Sequence, residues 1–331
     1  MRGRPAVADQ PRPGGPLNQA LGDLIAAAGL PAAAQVEPIG GDGLDNTLHL
    51  AVLADGRKVV LRQHEHPRPS PRAMAEFLAA NQVGAPPLLA ANDRGDRLVA
   101  YVEGVTLAEA VRAGTATDRV WQAVGRALAA VHAVGFPAHL HGELRPDGLR
   151  LTPADPVERL RAELAATQPW VREHRPALLP LLPAVDAALL AHAEELRAER
   201  PCLVHGDVNL FNVIIGHDRA TLIDWDYPGV RQPLDELSAF QEHAYLHGAE
   251  LPPAFWTGYG RTVPENSLLL HRVVGCLGWL AGEDWAEWAA DESLSAAAVT
   301  RVELWRRRLL DWIDRLPELL AHLDVRHSVS T

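Results

Sequence analysis

Residues 201–226 read Pro-Cys-Leu-Val-His-Gly-Asp-Val-Asn-Leu-Phe-Asn-Val-Ile-Ile-Gly-His-Asp-Arg-Ala-Thr-Leu-Ile-Asp-Trp-Asp. This stretch contains three apolar runs, each with the length of a short buried strand, at 202–204, 213–215 and 221–223. Polar residues able to handle protons or metal ions flank the runs: His205, Asp207, Asn212 and Asp224. We therefore expect these side chains at strand ends, where a rigid sheet can aim them.

Length and composition limit what the rest of the chain can be. A chain of 331 residues, 47% of them hydrophobic, can bury a large core and form one bilobal unit or two domains. The net charge of −11 argues against a nucleic-acid partner, because such binding depends on clusters of Lys and Arg. Two cysteines, Cys202 and Cys276, cannot form a disulfide framework. No signal-peptide pattern or membrane span is evident, so we expect a cytoplasmic protein without a membrane partner.

The first third of the chain predicts a small sheet with one inserted helix. Residues 1–16 are rich in Pro, Gly and Arg and predict a flexible tail, and residues 17–28 predict a helix that ends at Gly29. The apolar period then changes to two, which predicts strands. A second helix is predicted at 69–82, and five strands are predicted at 36–39, 47–53, 57–63, 88–91 and 97–102. We assign residues 17–103 to an N-terminal lobe with an antiparallel five-stranded sheet.

Residues 104–331 predict a larger, mainly helical C-terminal lobe. Its helical patterns lie at 118–134, in two helices within 153–199, and again after Asp235, ending in one helix at 302–323. The segment 141–148 superficially repeats the His-Gly-acid order, but Gly148 stands where an amide is needed, and we interpret it as a loop. The fold class is therefore α+β and bilobal.

The opening stretch contains the parts that phosphoryl transfer requires. That reaction needs a carboxylate near the attacking hydroxyl and ligands for a metal that bridges phosphate oxygens. Asp207 can accept the hydroxyl proton, while the amide oxygen of Asn212 and the carboxylate of Asp224 are suitable ligands for Mg²⁺. The alternative is that these residues only form turns between strands. Their ordered combination within a two-lobe pattern favours the catalytic interpretation.

These motifs resemble those of a known superfamily. His205-Gly206-Asp207 with Asn212, followed by Ile223-Asp224-Trp225-Asp226, is similar to the paired motifs of the aminoglycoside phosphotransferase and choline kinase-like superfamily, which is related to protein kinases. The resemblance extends over residues 30–245. Upstream it includes the glycine-rich hairpin at Gly40-Gly41 and Asn46-Thr47, the strand Val59-Val60-Leu61-Arg62, the pairing glutamate Glu76, and an interlobe hinge at 98–104.

The resemblance implies a protein-kinase-like fold and a role for each matching residue. Asp207 is then the catalytic base, Asn212 and Asp224 hold Mg²⁺, and His205 shapes the loop. ATP or GTP is the phosphoryl donor, and the positions implied to bind it are Gly40, Gly41, Asn46, Arg62, Glu76, Tyr101 and Val102.

Two features depart from the superfamily pattern. Arg62 stands where a phosphate-contacting lysine is usual, although Lys58 lies on the same face of the strand. Arginine can contact phosphate with two nitrogens and can pair with Glu76, but it is longer than lysine; the two residues can equally form a surface ion pair. The glycine-rich turn also lacks the full G-x-G-x-x-G spacing.

Residues 232–300 carry ten acidic residues but only Arg261 and Arg272, and they include Trp256, Tyr259, Trp279, Trp285 and Trp288. Acidic groups beside aromatic rings suit a polycationic or ring-bearing acceptor. The alternative is a solvated acidic face over an aromatic core. We expect Asp235 to cap the next helix or to pair with a loop, and His132 to be a packed or capping histidine rather than a catalyst.

Three functions are compatible with these features. The first is a kinase that phosphorylates a hydroxyl of an antibiotic, aminoglycoside-like or another natural product. The second is a metabolic kinase for choline, an amino sugar or a similar alcohol. The third is a nucleotide-binding pseudokinase disabled by Arg62. The expected partners are a nucleotide and a small-molecule hydroxyl acceptor, and the expected assembly is a monomer or homodimer.

Overall fold

The computed structural model describes residues 16–39, 46–64, 71–145, 148–217, 219–282, 285 and 296–327. The chain divides into two compact units. Unit 1 is Met1–Glu76 with Pro86–Tyr101, and unit 2 is Phe77–Ala85 with Val102–Thr331.

Unit 1 contains the predicted antiparallel five-stranded sheet. Its strands pair in the order β1-β2-β3-β5-β4, and every neighbouring pair is antiparallel. Helix α2, Arg72–Ala80, is shorter than predicted and crosses the boundary between the units. The other elements are α1 (Pro16–Ala27), β1 (Ala33–Pro38), β2 (Asn46–Leu53), β3 (Lys58–His64), β4 (Leu88–Ala91) and β5 (Arg97–Ala100).

The core of unit 1 lies between α1 and one face of this sheet. Leu21 and Leu24 of α1 are buried in one cluster with Val59, Leu61 and Leu98 of the strands. Since side chains alternate along a strand, the residues at even positions of β3 lie on the opposite face. Arg62 is one of them, so the sheet holds it away from the apolar core.

Unit 2 is mainly helical, as predicted. Its first elements are β6 (Val105–Thr106), α3 (Leu107–Arg112), α4 (Asp118–His132), β7 (Leu140–Arg145), β8 (Gly148–Pro153), α5 (Pro156–His174), a 3-10 helix (Pro176–Leu181), α6 (Leu182–Ala191) and α7 (Ala193–Ala198). These are followed by β9 (Cys202–Val204), β10 (Val213–Ile215), β11 (Ala220–Leu222), β12 (Gly229–Arg231), α8 (Pro233–Leu246), α9 (Pro253–Tyr259), α10 (Glu265–Gly282), α11 (Ala296–Ile313) and α12 (Leu316–His327).

Two small sheets hold the quoted stretch in unit 2. One has the strand order β11-β10-β6 and the other β8-β7-β12-β9. Strands β9 and β10 have the predicted bounds, whereas β11 begins and ends one residue earlier than predicted. Ile223 therefore follows the strand, and its N–H still donates to the carbonyl of Asn212, at 2.9 Å.

The interpretation of segment 141–148 as a loop is wrong. Strands β7 and β8 form an antiparallel ladder from Leu140 with Pro153 to Arg145 with Gly148, and β7 also pairs with β12. A Cβ on Gly142 would lie 2.1 Å from the carbonyl oxygen of Arg150, so the close approach of β7 and β8 at this position requires glycine. The His-Gly-acid order belongs here to a hairpin.

Helix boundaries differ from the predictions where prolines intervene. The two helices predicted within 153–199 are α5, α6 and α7 with a 3-10 helix that contains Pro176 and Pro180. The single helix predicted at 302–323 is divided into α11 and α12, because Pro317 cannot donate the backbone hydrogen bond that would continue α11. The predicted apolar stripe is nevertheless buried, including Trp305, Leu309 and Trp312.

Helices α4 and α9 pack so closely that two glycines are required where they meet. A Cβ on Gly125 would lie 2.2 Å from the carbonyl oxygen of Phe255, and one on Gly258 would lie 2.1 Å from that of Gln122. Both obstructing atoms belong to backbone and cannot rotate away. This contact fixes α4 against α9, and α4 carries His132 at its last position.

Gly125→Ala should therefore destabilise the protein by about 1–3 kcal/mol, because the added methyl group forces the two helices apart. The matched control is Gly275→Ala in α10, where nothing lies within 4 Å of the added Cβ. That control should be neutral or stabilise by up to about 1 kcal/mol through higher helix propensity. Urea unfolding midpoints measure both; equal midpoints for the two variants would contradict the close contact.

Candidate active site

Asp207 lies in the loop between β9 and β10, held by two asparagines. Its Oδ1 accepts a hydrogen bond from Asn209 Nδ2 at 3.1 Å, and its Oδ2 accepts one from Asn212 Nδ2 at 2.9 Å. Asn209 Oδ1 in turn accepts from the N–H groups of Phe211 and Asn212, at 2.9 and 3.1 Å. These bonds fix the direction of the Asp207 carboxylate.

Asn209 was not identified from the sequence, although the order Asp-x-Asn-x-x-Asn contained the signal. Asparagine commonly closes a turn by accepting from the backbone N–H two residues later, as Asn209 does with Phe211. The turn closed by Asn209 therefore fixes Asp207 on one side and Asn212 on the other.

The neighbours of Asn212 determine which of its atoms is available to a cation. Its Nδ2 also donates to the Asp207 carbonyl at 2.9 Å, and only the amide nitrogen can face these acceptor oxygens. The amide oxygen is thereby directed away from Asp207, where it can ligate a hard cation. No cluster of three or more His, Cys, Asp or Glu residues suited to a metal occurs in the described part of the chain.

His205 links the Asp207 loop to Ile223, which directly precedes Asp224. Its Nε2 lies 2.8 Å from the carbonyl oxygen of Ile223, and its Nδ1 accepts from the Asp207 N–H at 3.3 Å. Since a carbonyl only accepts, Nε2 carries the hydrogen. The ring also packs against that of Trp225, with centroids 4.4 Å apart. His205 is fully buried and shapes the loop.

Asp224 has a backbone conformation that is unusual for a residue with a side chain. Its φ is +66°, in the left-handed region that aspartate tolerates better than most residues. Such strain persists where the surrounding structure enforces it. Here the Ile223 N–H is held by Asn212 and the Ile223 carbonyl by His205. The turn at Asp224 is thus linked to the Asp207 loop on both sides.

Burial raises the pKa of the Asp207 carboxyl above its ordinary value, and the negative charge of nearby Asp224 raises it further. The hydrogen bonds from Asn209 and Asn212 oppose this change because they stabilise the ionised form. Two carboxylates that repel each other suit a site for a divalent cation.

The buried carboxylate of Glu236, in α8, holds the loop that carries Asp207. Its Oε1 accepts from the Gly206 N–H at 2.7 Å, and its Oε2 lies 2.9 Å from His132 Nε2. His132 Nδ1 lies 2.9 Å from the hydroxyl of Tyr259. Burial opposes ionisation of Glu236, but the hydrogen bonds from His132 and the Gly206 N–H, together with the nearby His132 and His205 rings, outweigh it, and the pKa is lowered.

Gly206 permits this support. Its φ is +84°, and a Cβ there would lie 1.9 Å from the carbonyl oxygen of Tyr227. No other residue fits this position, so glycine is required between His205 and Asp207. Glu236 was not predicted from the sequence, because nothing in the pattern of α8 distinguishes it from the neighbouring Asp235.

Asp235 caps α8, as predicted. Its side chain accepts from the Gln232 N–H in a capping box, at 3.2 Å. Arg159 also contacts both of its oxygens, at 2.6 and 2.8 Å, and His271 Nδ1 lies 3.0 Å from Oδ1. Although burial opposes it, Arg159 and His271 together hold the pKa of Asp235 well below its usual range.

The acidic segment is partly internal. Besides Asp235 and Glu236, Glu242 is buried and paired with Arg272, whose guanidinium lies 4.3 Å from the ring centroid of Trp312. Trp285 is buried and Trp279 packs against the same core. In these residues the rings belong to the core, as the alternative expects, but the acids are internal rather than on a solvated face. The positions outside the described residues are Glu283, Asp284, Glu287, Trp288, Asp291 and Glu292.

Basic and aromatic groups surround Phe211 of the loop. His243 and His247 stack with centroids 4.8 Å apart, and the ring of His247 lies 5.1 Å from Phe211. Arg301 lies 5.9 Å from the same ring. Burial lowers the pKa of His243 to about 3 and that of His247 to about 4, so both rings are neutral at neutral pH.

The residues of unit 1 that were predicted to bind the nucleotide differ from one another in burial and in their contacts. Arg62 is buried and is the cross-strand partner of Arg97, which is buried as well. Lys58 Nζ lies 5.1 Å from the ring centroid of Tyr101. Glu76 is exposed, and no ion pair with Arg62 is found among the described residues. Gly40, Gly41 and the side chain of Asn46 lie outside the described part.

The family model of the phosphotransferase enzyme family matches residues 35–269. The chain belongs to this family. The match confirms the resemblance identified from the Asp207 and Asp224 motifs, and it covers both of them. No curated protein sequence matches the chain.

Solved structures with the same fold come from several kinases. A choline/ethanolamine kinase family protein from Mesorhizobium loti is 17% identical, with a TM-score of 0.63 over 93% of this chain and 98% of that one. A thermostable mutant of aminoglycoside phosphotransferase APH(4)-Ia, in complex with ADP and hygromycin B, is 16% identical, with a TM-score of 0.59 over 91% and 98%. Macrolide 2'-phosphotransferase MphH from Brachybacterium faecium is 17% identical, with a TM-score of 0.53 over 87% and 97%.

These similarities confirm the kinase-like α+β fold. In the described residues, no helix combines the length and apolar character needed to cross a bilayer.

Asn209→Ala should shift the pH dependence of the reaction in a direction that the geometry fixes. In the role of base expected from the sequence, the Asp207 carboxyl must be ionised, and the hydrogen bond from Asn209 stabilises the ionised form. Removing the bond raises the pKa further, so the acid limb of kcat/KM moves to higher pH. Asn81→Ala is the control, because Asn81 is exposed on the turn after α2. An unchanged acid limb in Asn209→Ala would contradict the assignment.

Proposed function

We propose that this chain is a magnesium-dependent kinase that moves the γ-phosphate of ATP or GTP to a hydroxyl of a small molecule. Its membership of the phosphotransferase enzyme family supports the reaction class. The observation that carries the proposal is the Asp207 carboxylate, which two asparagines orient and burial makes more basic. A more basic carboxylate accepts a hydroxyl proton more readily.

In this proposal Asp207 orients the acceptor hydroxyl and takes its proton as the oxygen attacks phosphorus. The hydrogen bonds from Asn209 and Asn212 hold the carboxylate in one direction, which reduces the entropy lost on reaching the transition state. The Glu236 carboxylate holds the Gly206 N–H and thereby the backbone immediately before the base. His205 positions the loop and takes no part in proton transfer.

Asn212 and Asp224 would hold magnesium through an amide oxygen and a carboxylate. Two such ligands fit Mg²⁺, which usually keeps several waters and is completed by substrate phosphates. When bound, the ion would neutralise negative charge on the phosphates.

Arg62, Tyr101 and Val102 are proposed to bind the nucleotide, together with Gly40, Gly41, Asn46 and Glu76. Arg62 can contact phosphate bidentately in place of a lysine, and Arg97 adds a second guanidinium on the neighbouring strand. Glu76, being exposed, is proposed to join this set on nucleotide binding.

We propose a hydroxyl-bearing natural-product antibiotic of low net charge as the acceptor. The acidic residues Asp235, Glu236 and Glu242 are neutralised within the fold and do not present free charge to a polycation. Arg301 beside Phe211 adds positive charge at the loop. These features support a neutral or singly charged acceptor over a highly charged aminoglycoside.

A metabolic kinase for choline or an amino sugar is the second candidate, since a choline/ethanolamine kinase family protein has the same fold and a singly charged acceptor satisfies the same electrostatics. The two are separated by measuring nucleotide consumption against a panel of macrolides, aminoglycosides, choline and amino sugars. Consumption with a macrolide but not with choline supports the first, and the reverse result supports the second.

Asp207→Ala should lower kcat by about 10²- to 10⁴-fold, because it removes the base, while nucleotide binding is retained. The control is Asp311→Ala, an exposed aspartate of α11. Thermal stabilisation by Mg-ATP measures nucleotide binding in both variants and in the wild type. Turnover of Asp207→Ala at the wild-type rate would refute the base; stabilisation of the wild type without turnover of any acceptor would identify a pseudokinase.

A further inference from the structure

Phe211 lies in the Asp207 loop, and its side chain contacts two histidines at the C-terminal end of α8. Its ring centroid is 5.1 Å from that of His247, at an interplanar angle of 81°, and 6.4 Å from that of His243, at 90°. Both are edge-to-face arrangements, a geometry that aromatic pairs prefer to direct face-to-face stacking. The ring of Phe211 therefore has partners with a defined orientation.

Arg301 of α11 contacts the same ring. Its guanidinium carbon lies 5.9 Å from the ring centroid of Phe211 and 5.6 Å from that of Trp305, which is also in α11. Both distances are within the range of cation–π attraction. The rings of His243 and His247 lie 5.7 and 5.3 Å from that of Trp305. These four residues form one cluster around Phe211, to which α8 and α11 both contribute.

The two histidines of the cluster are neutral, which allows them to lie beside Arg301. Burial lowers the pKa of His243 to about 3 and that of His247 to about 4, and the positive charge of Arg301 contributes to both changes. A protonated ring at either position would repel the guanidinium. The contacts to Phe211 therefore do not change with pH in the range around neutrality.

The backbone of Phe211 connects this cluster to the Asp207 carboxylate. The Phe211 N–H donates to Asn209 Oδ1 at 2.9 Å, and Asn209 Nδ2 donates to Asp207 Oδ1 at 3.1 Å. Asn209 can orient the carboxylate only while its own amide oxygen is held. The preceding carbonyl, of Leu210, accepts from the Ala108 N–H of α3 at 2.9 Å, but it makes no such link to Asn209. Movement of Phe211 would thus release Asn209.

We propose that Phe211 is a positioning residue of the active site: the surrounding cluster holds its ring, and its backbone fixes Asn209 and thereby the direction of the Asp207 carboxylate. Phe211 acts through Asn209 and not by contact with a substrate. The effect on catalysis rests on the transfer reaction proposed above, whereas the effect on the loop does not.

Amide hydrogen exchange of the intact protein, measured by NMR, tests the effect on the loop. The amides of residues 211 and 212 both donate to Asn209 Oδ1. In Phe211→Leu they should exchange about tenfold faster or more, because leucine offers no ring to the cluster. Phe211→Tyr keeps the ring and should exchange at the wild-type rate. The control is Phe136→Leu, the same change at another half-buried phenylalanine, which should leave both amides unaffected.

Catalysis is measured as nucleotide consumption with Mg-ATP and erythromycin, hygromycin B or choline. Phe211→Leu should lower kcat by about tenfold or more and leave the KM for ATP unchanged, because the base is misdirected while nucleotide binding is not affected. The double variant Phe211→Leu/Asn209→Ala should be no slower than Asn209→Ala alone, since both changes remove the same connection to Asp207.

Three results would overturn the proposal. The first is wild-type exchange of the amides of residues 211 and 212 in Phe211→Leu. The second is an equal acceleration of all amides in that variant, which would show that the ring stabilises only the fold as a whole. The third is additive loss of kcat in the double variant, which would separate Phe211 from Asn209. If the wild type consumes nucleotide with none of the three acceptors, the proposed transfer fails, and the exchange rates still decide how the loop is held.

Discussion

The carboxylate of Glu236 is the group on which the arrangement of the active-site loop depends. It is buried, and a buried charge is tolerated only when it is paired and hydrogen-bonded. Its two partners lie in separate parts of unit 2, the Gly206 N–H before Asp207 and the His132 ring at the end of α4. Removing either partner leaves one oxygen of the buried carboxylate without a hydrogen bond, so the loop, α4 and α8 hold their positions together.

The same constraint explains the acidic composition of unit 2. Asp235 is satisfied by Arg159 and His271, and Glu242 by Arg272. These charges are paired with buried or partly buried basic side chains and do not form a surface for binding a cationic substrate. Formal charge counted along the sequence does not distinguish the two cases, because it ignores which acids are internal.

Backbone geometry complements these charges around the site. Gly206 and Asp224 both have positive φ, and the first has no room for a side chain. Asp207 and Asp224 approach each other because Ile223 is held on one side by Asn212 and on the other by His205. Hydrogen bonds from asparagines then limit the electrostatic cost of the approach. Hydrogen bonds and backbone geometry together therefore fix the Asp207 loop and the turn at Asp224 relative to each other.

Local patterns predicted the elements whose information is local. The period-two runs predicted the five strands of unit 1, and the apolar runs at 202–204 and 213–215 have their predicted bounds. The family motif around Asp207 could also be recognised from the sequence, because its residues lie close together along the chain. The hairpin of β7 and β8 was missed, since its stability comes from pairing with β12, which is remote in sequence. The division between α11 and α12 depended on one proline within a strong apolar stripe.

The sequence by itself determined the reaction chemistry available to this protein: a carboxylate, an amide and a second carboxylate in a fixed order along short strands. Only the tertiary structure decided how they are held, because Glu236, His132 and Asn209 act through contacts that periodicity does not encode. It also decided that basic and aromatic groups surround Phe211, since helices far apart in sequence bring them together. Patterns of neighbouring residues specify strands and motifs. The pairing of buried charges depends on residues that come together only when the chain folds.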